Sequence, residues 1–371
     1  MTVRLRRGLV ASLGSSRPGA LELSVEVEGE VRSAIAYPEL TGPVAEGDVV
    51  VLNTTATSLG LGTGGSDLVV AVEEGPDTEI RHDGRVMKAR YTPLQTVVRS
   101  VEEAHRDALE AAEGLAGAPI VAAPLHSMIA PIAAGARAAG AERVAFVMTD
   151  GAALAGGFSR LVPRLREVGL LDAFVTCGQA FGGEMEAVTL WSGLLAARAV
   201  SGADVVIVAD GPGNLGTDTT WGVSALASGN AVNATASLGG RPVAALRMSF
   251  ADERERHRGL SHHSITILAR VAGPGANVAV PVLEDEAQRA VIWDALREAK
   301  LEERHQLVEV DGRPALAELE RRGVEVDSMG RSPTDDPAFF LAAGAAGVLA
   351  ARIAVGSERW AEEFRKKDPP A

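Results

Sequence analysis

The stretch ADVVIVADGPGNLGT, residues 203–217, decides the fold class of this chain. Its first half is a nearly continuous apolar run, and its second half is a glycine-rich segment that opens with an acidic residue. A run without polar alternation suits a strand that is buried on both faces, as in a parallel sheet covered by helices. The stretch therefore predicts a parallel strand whose carboxyl end leads into a polar turn.

Runs of the same kind recur on both sides of this one, separated by alanine-rich stretches of helical length. They are APIVAAPL (118–125), ERVAFVMTD (142–150), DAFVTCGQ (172–179), RPVAALRMS (241–249), ANVAVPVL (276–283) and HQLVEVDG (305–312). A helix at 313–323, a further strand at VEVDSMG (324–330) and a final helix complete the series. This alternation predicts an α/β layer sandwich with a mainly parallel sheet over residues 119–371.

The N-terminal part of the chain has a different texture. Five short segments alternate apolar and polar residues and are separated by Gly, Pro and Asp, which is typical of strands and turns. They are VRLRRGLVASL (3–13), ALELSVEVEG (20–29), EVRSAIAYP (30–38), DVVVLNTT (48–55) and DLVVAVEEG (67–75). We therefore predict a small β-barrel over residues 1–85, followed by a connector with a helix over residues 86–118.

Composition limits the classes of function. The chain has 371 residues, of which 46% are hydrophobic and 23% charged, as expected for a folded protein of two domains. The net charge of −13 opposes binding to nucleic acid and to anionic lipid. Cys177 is the only cysteine, so no intrachain disulfide forms, and the apolar stretch at the start is too short for a signal peptide. We expect a cytoplasmic protein.

One segment raises the question of a membrane. AFFLAAGAAGVLAA (338–351) is apolar over 14 residues, which is fewer than the roughly 20 that a spanning helix needs. We predict a buried C-terminal helix and no membrane association. Helices rich in Ala and Gly also suit close packing between subunits, so we expect a homo-oligomer.

Polar side chains follow the predicted parallel strands. His126, Asp150, Cys177 and Asp210 each come where an apolar run ends. Ligands of open parallel sheets bind at the carboxyl ends of the strands, so we take His126 as a substrate-binding residue and Asp150 and Asp210 as catalytic residues or Mg²⁺ ligands. Cys177 is either a nucleophile or, as is more usual for a single cysteine in an apolar strand, simply buried.

The segment DGPGNLGT (210–217) contains the spacing Gly-x-Gly-x-x-Gly. Gly213, Gly216 and Thr217 could hold a phosphate or carboxylate at the start of a helix, or could form a tight structural turn. The position of Pro212 and the lack of an acidic residue at the end of the next strand speak against a dinucleotide, so we assign no cofactor-binding residues.

Three of the seven histidines fall in the segment 257–263, beside the arginine-rich run DERERHRG (252–259). His262 and His263 are adjacent. If HSITILARV (263–271) is a strand, they point to opposite faces and bind one metal ion only from a loop. The alternatives are a metal site, an anion site in which Arg254 and Arg256 grip the ligand while a histidine acts as acid or base, and a solvated loop or core histidine.

The segment SMGRSPTDDPAFF (328–340) adds one more candidate. Arg331 could complete an anion pocket, whereas the two aspartates before Pro337 are typical of a helix start.

Several long segments together carry a resemblance. LTGPVAEGDVVVLNTTATSLGLGTGG (40–65), VMKARYTPLQ (86–95), APLHSM (123–128), HRGLSHHSITIL (257–268) and GRSPTDDPAFFLAAGAAG (330–347) resemble the bacterial family catalogued as domain of unknown function 3866. The resemblance covers essentially the whole chain. It implies a bacterial cytosolic protein, and it supplies no catalytic residue, because none is assigned to the family.

The sequence leaves three hypotheses of function. The first is an enzyme, a hydrolase or group transferase, that acts on a small phosphorylated or carboxylated metabolite, a nucleotide being one candidate. In it His262 or His263 is the acid–base group, and a divalent metal is an open possibility. The second is a noncatalytic nucleotide- or nucleic-acid-binding protein that uses the N-terminal barrel. The third is an oligomeric scaffold.

Overall fold

The computed structural model describes residues 2–73, 79–80, 83–217 and 219–356. The N-terminal region forms a closed barrel of five strands in the order β1-β2-β3-β5-β4. β3 and β5 are parallel, and the other neighbours are antiparallel. The elements are β1 (Leu5–Arg17), β2 (Ala20–Val27), β3 (Glu30–Ala36), α1 (Pro38–Thr41), β4 (Val49–Asn53), α2 (Thr55–Ser58) and β5 (Asp67–Glu73). The predicted barrel and its five strands are confirmed.

A short hairpin and two short helices follow the barrel: β6 (Val86–Lys88), β7 (Thr96–Val98), α3 (Val101–Ala104) and α4 (Arg106–Ala111). The buried Lys88 Nζ donates to the carbonyls of Ala180 and Ala187 at 3.0 and 2.9 Å and lies 3.5 Å from Glu186. A buried ammonium needs such partners, so Lys88 fastens the hairpin to the edge of the large sheet. The domain boundaries at residues 85 and 118 stay a prediction.

The rest of the chain is the predicted α/β domain. Its strands are β8 (Pro119–Ala122), β9 (Val144–Thr149), β10 (Ala173–Cys177), β11 (Met185–Ala187), β12 (Val205–Asp210), β13 (Arg241–Ala245), β14 (Met248–Ser249), β15 (Gly259–Leu260), β16 (Asn277–Pro281) and β17 (Gln306–Val310). Eight of them form one sheet in the order β11-β10-β9-β12-β8-β13-β16-β17, and every neighbouring pair in it is parallel. β14 and β15 form a separate antiparallel ribbon.

Helices cover both faces of the large sheet. They are α5 (Ile129–Ala138), α6 (Leu161–Glu167), α7 (Leu190–Leu195), α8 (Ala227–Ser237), α9 (His262–Thr266), α10 (Glu286–Glu298), α11 (Arg313–Arg321) and α12 (Pro337–Val355). α5, α6, α11 and α12 pack on one face, and α7 to α10 pack on the other. The connection from β8 therefore crosses one face and that from β12 crosses the other. These adjacent strands form a topological switch point, where α/β sheets open a crevice for ligands.

The final helix is buried, as the sequence predicts. α12 is long and apolar enough to cross a membrane by length and composition, yet 78% of its apolar window is buried inside the protein. It packs on α5 through glycines: a Cβ added at Gly347 would overlap the carbonyl oxygen of Ile132, and one added at Gly135 would overlap that of Gly344. Small residues here let the two helix backbones touch.

The strand predicted at VEVDSMG (324–330) is wrong. These residues have no regular secondary structure apart from a bridge between Ser328 and Arg331. Val324 and Val326 pack on the helical layer, and the carbonyl of Gly323 accepts a hydrogen bond from Arg164 of α6. The segment therefore runs beside helices, where no strand is available to pair with it.

Candidate functional site

A cleft of about 740 Å³ opens at the switch point, and we call it the His–Arg cleft. The ends of β8 and β12 form its first wall, with residues 125–127 and 212–217. The second wall carries Arg247, Arg254, Arg256, His257 and His263, and the third is the segment 325–329. Residues that are far apart in the sequence thus meet at the carboxyl ends of the strands.

The second wall is built by the ribbon of β14 and β15. Met248 pairs with Leu260 and Ser249 with Gly259, so the ribbon closes the loop 250–258 on itself. Ser261 then caps α9, because its Oγ accepts the amide of His263 at 3.3 Å. The strand considered for HSITILARV is wrong: residues 262–266 form a helix, and residues 267–271 continue it as a π-helical turn. A helix start does not turn adjacent side chains to opposite faces as a strand would.

The three histidines of this wall lie together. The ring centroids of His262 and His263 are 4.0 Å apart, and that of His257 is 5.1 and 4.9 Å from them. One ring nitrogen of each can be chosen so that all three atoms lie within 4.8 Å of one another. His257 Nδ1 bonds to Ser261 Oγ at 2.9 Å, whereas Nε2 of both His262 and His263 is buried without a hydrogen-bond partner.

The surroundings of the three imidazoles favour their neutral form. Burial lowers the pKa of His257 to about 3 and that of His263 to about 4, and the pKa of His262 is also lowered. The positive charges of Arg247, Arg254 and Arg256 add to this effect. Neutral imidazoles present lone pairs to the cleft, which suits a metal ion or a hydrogen-bond donor.

The guanidinium groups of the cleft surround one buried carboxylate. Arg254 grips Asp252 through two hydrogen bonds of 2.9 and 2.8 Å, and Arg247 and Arg331 lie 3.6 and 3.7 Å from it. Arg254 beside Asp252 holds the pKa of that carboxyl far below its usual range. Burial, and to a lesser degree the neighbouring guanidinium groups, lower the pKa of Arg247 to about 10.

Three of these guanidinium groups converge on one atom. The Nη2 atoms of Arg254, Arg247 and Arg331 lie 3.7, 3.9 and 3.9 Å from the Sδ of Met329. A thioether is a weak acceptor, and Met329 is half exposed with φ of +55°. An oxyanion at that point would meet three strong donors.

Of the predicted anion residues, the cleft brings His126, Gly213, Gly216, Thr217, Arg254 and Arg256 together. Arg331 joins them through Asp252 and through Asp336, whose Oδ2 lies 3.5 Å from its Nε. Their roles in binding stay predictions.

The glycine-rich segment differs from the prediction. Among the described residues on either side of Thr217, none begins a helix. The amide of Thr217 donates to the carbonyl of Gly222 at 2.7 Å, and its hydroxyl contacts that of Thr219 at 2.9 Å, so the chain turns back before α8 begins ten residues later. Gly213 takes a left-handed φ of +90°, which suits glycine. The segment is a wall of the cleft and not a helix start with amides aimed at a ligand; Asp218 lies outside the described residues.

The carboxylates of Asp150 and Asp210, which the sequence predicts to be catalytic or to bind Mg²⁺, contact backbone and side chains at the strand ends. The carboxylate of Asp210 accepts the Thr149 hydroxyl at 2.5 Å and the Gly151 amide at 3.2 Å, and that of Asp150 accepts the Gln179 amide at 2.8 Å. Neither is among the described residues that line the cleft. These contacts hold turns at the strand ends, and a catalytic role for either residue stays an untested prediction.

His126 has both ring nitrogens engaged. Nδ1 donates to the carbonyl of Asp210 at 3.1 Å, which leaves Nε2 to accept the hydroxyl of Ser159 at 2.8 Å. Burial lowers the pKa of His126 to about 4. The histidine thus ties the end of β8 to the end of β12 and to the start of α6.

This arrangement predicts acid sensitivity. Because the folded pKa is below the unfolded value of about 6.5, stability is complete above pH 6.5 and is lost as the pH falls toward 4. The advantage of wild type over His126→Gln in unfolding free energy should shrink by about 3 kcal/mol between pH 7 and pH 4. Urea unfolding at both pH values measures it. A difference that stays constant with pH would contradict this assignment.

Cys177 is buried, and its thiol donates to the carbonyl of Met148 at 3.3 Å. Burial raises its pKa to about 12, which removes the thiolate that a nucleophile needs.

Sequence reasoning missed Arg247 and Met329. An arginine at the end of an apolar run was a signal for Arg247, whereas nothing local marked Met329.

Comparison with known proteins gives one match. A family model described as protein of unknown function, DUF3866, matches residues 33–347. None of the curated proteins and none of the solved structures matches the chain.

Proposed function

The chain belongs to the DUF3866 family of proteins of unknown function, and from the site itself we propose that it is an enzyme that binds a small phosphorylated metabolite in the His–Arg cleft and hydrolyses or transfers its phosphoryl group. The observation that carries the proposal is the convergence of the Nη2 atoms of Arg247, Arg254 and Arg331 on Met329 Sδ. Guanidinium groups bind phosphate through charge-assisted, often bidentate hydrogen bonds.

Local charge supports an anionic ligand. Arg247, Arg254 and Arg256 of the second wall and Arg331 beside it contribute four positive charges, whereas Asp252 and Asp336 contribute two negative ones. The net charge of these six side chains is therefore +2, which would balance the charge of a phosphate dianion.

The third wall limits the size of that ligand. Glu325 and Asp327 also line the cleft. A polyphosphate that spanned the cleft would face their carboxylates and be repelled. The arrangement therefore favours a single phosphoryl group over a nucleoside triphosphate.

The neutral histidines give the site a chemical function beyond binding. His257 and His263 line the cleft beside the guanidinium groups. In hydrolysis, water attacks phosphorus, the bond to the leaving oxygen breaks, and the proton of the water is removed while the leaving oxygen is protonated. The guanidinium groups would stabilise the charge on the equatorial oxygens, and a neutral histidine would take the proton of the attacking water and return it to the leaving oxygen.

The test is a panel of phosphate monoesters with wild-type protein, followed by release of inorganic phosphate. Binding of inorganic phosphate is measured in parallel by calorimetry. We expect inorganic phosphate to bind and at least one monoester to be hydrolysed or to donate its phosphoryl group to an added alcohol. Binding without any turnover would leave a binding protein, and no binding of either would overturn the proposal.

The barrel offers less support for the nucleic-acid hypothesis. Arg6 and Arg7 of the segment VRLRRG lie 3.5 and 2.6 Å from Glu28 and Glu73, so their charges are offset. That no polynucleotide binds and that the chain forms a homo-oligomer stay predictions.

A further inference from the structure

We propose that His257, His262 and His263 form a binding site for a transition-metal ion of the Zn²⁺ type, with the ion facing the His–Arg cleft. The inference names a cofactor for the proposed site. Its catalytic meaning rests on the proposed function, whereas the binding of the ion does not.

Unsatisfied nitrogen atoms are the first support. Nε2 of His263 is buried with no hydrogen-bond partner, in a side chain that is 6% exposed. Nε2 of the neighbouring His262 has no partner either. Buried polar atoms in folded proteins nearly always have a partner, so each such atom calls for a ligand. Two of them in adjacent residues, with ring centroids 4.0 Å apart, point to one shared ligand.

The third histidine is held by a neighbour in the way metal ligands are. His257 is 2% exposed, and its Nδ1 lies 2.9 Å from Ser261 Oγ. When Nδ1–H donates to that oxygen, Nε2 keeps its lone pair for an ion. Histidines that bind metals commonly donate their second nitrogen in this way, which fixes the tautomer and the ring orientation.

The distances require a small adjustment. A tetrahedral ion with bonds of about 2.0–2.1 Å needs nitrogen atoms about 3.3 Å apart. One ring nitrogen of each histidine can be chosen so that the three atoms lie within 4.8 Å of one another, so none of these separations has to shorten by more than about 1.5 Å. Three histidines leave a fourth coordination position, which is the arrangement of catalytic zinc sites.

Surrounding charge makes the ion depend on an anion. Arg247, Arg254 and Arg256 repel a bare dication, and Asp252 offsets only part of their charge. A phosphate held by the guanidinium groups would reverse this effect. We therefore expect Zn²⁺ and inorganic phosphate each to bind more tightly in the presence of the other, as thermodynamic linkage requires.

The experiment uses the full chain, freed of metal with a chelator and then loaded with Zn²⁺. Metal retained after desalting is measured by elemental analysis, and Co²⁺ is added separately because its visible absorption reports tetrahedral coordination. We expect one Zn²⁺ per wild-type chain and a tetrahedral Co²⁺ spectrum. The His257→Ala and His263→Ala proteins should lose the bound Zn²⁺ and the tetrahedral Co²⁺ spectrum. His105→Ala removes an exposed histidine that is distant in sequence from these three, and this protein should keep the bound Zn²⁺ and the Co²⁺ spectrum.

A milder variant covers the case in which the histidine variants fail to fold. Ser261→Ala keeps all three imidazoles, removes the oxygen that contacts His257 Nδ1 and caps α9, and should weaken Zn²⁺ affinity about 10- to 100-fold. Wild type that retains no more Zn²⁺ than the His257→Ala/His263→Ala protein overturns the inference, as does full retention by folded variants. Stoichiometric Zn²⁺ without any phosphoryl turnover would overturn the proposed function alone, and turnover by a wild-type chain that binds no Zn²⁺ would overturn the metal site alone.

Discussion

Arg247→Ala is expected to weaken the binding of inorganic phosphate about 10- to 100-fold. A charge-assisted hydrogen bond contributes about 1.5–3 kcal/mol, and each 1.4 kcal/mol changes affinity tenfold. Arg247 is the most buried of the cleft arginines, with a side chain that is 10% exposed, so water screens its charge least. Calorimetric titration with inorganic phosphate measures the change.

Two further variants make this result specific. Arg247→Lys keeps the positive charge but loses the planar fork of donors, so its phosphate affinity should fall between those of wild type and the alanine variant. Arg258→Ala removes the same charge from an exposed residue that is not among the described residues lining the cleft, and its affinity should stay near the wild-type value. Equal losses in Arg258→Ala and Arg247→Ala would show a diffuse electrostatic effect and no specific site.

Gly347→Ala is expected to lower the free energy of unfolding by about 3 kcal/mol or more. The added Cβ would overlap the carbonyl oxygen of Ile132 and would lie 2.8 Å from its carbonyl carbon and 2.9 Å from the nitrogen of Ala136. These are backbone atoms of α5, so the overlap is relieved only when the two helices move apart. Overpacking in a dense core costs about 1–3 kcal/mol and occasionally more.

Gly193→Ala is the matched control, because it is also a glycine inside a helix. The nearest atom to its added Cβ is 3.4 Å away, an ordinary contact. Alanine is a better helix former than glycine by up to about 1 kcal/mol, so this variant should be as stable as wild type or slightly more stable. Denaturation in urea compares the two. A Gly347→Ala protein with the wild-type midpoint would contradict the close packing of α5 and α12.

The fold was accessible from the sequence because its signals are local. Each buried strand from β8 to β17 that was predicted is a short apolar run, and the alternation in the first 75 residues gave the five strands of the barrel. The error at 324–330 has the same origin, because alternating Val324 and Val326 look like a strand wherever they pack. The sequence of the segment alone does not determine whether a neighbouring strand is available to pair with it.

The site was accessible only in part, for the same reason. Arg254, Arg256, His257 and the adjacent histidines stand close in sequence, so their association was visible. The contact of Arg331 with Asp252 joins residues 79 positions apart, and the point on which three guanidinium groups converge is marked by Met329, a residue type that carries no signal. Asp150 and Asp210 were predicted to be catalytic because they follow strands, and the carboxylates of both accept hydrogen bonds from residues at the strand ends.

The position of α12 has a consequence for synthesis of the chain. This helix fills the middle of one helical layer and lies against α5 and the sheet strands formed much earlier, and the buried Asp336 at its start accepts the Ser249 hydroxyl of the ribbon at 2.6 Å. Until residues near 355 have left the ribosome, the part of α5 and of the sheet that α12 covers stays exposed. The nascent chain therefore exposes an apolar surface until its last helix is made. We expect chaperones that bind such surfaces to stay with the chain until α12 docks.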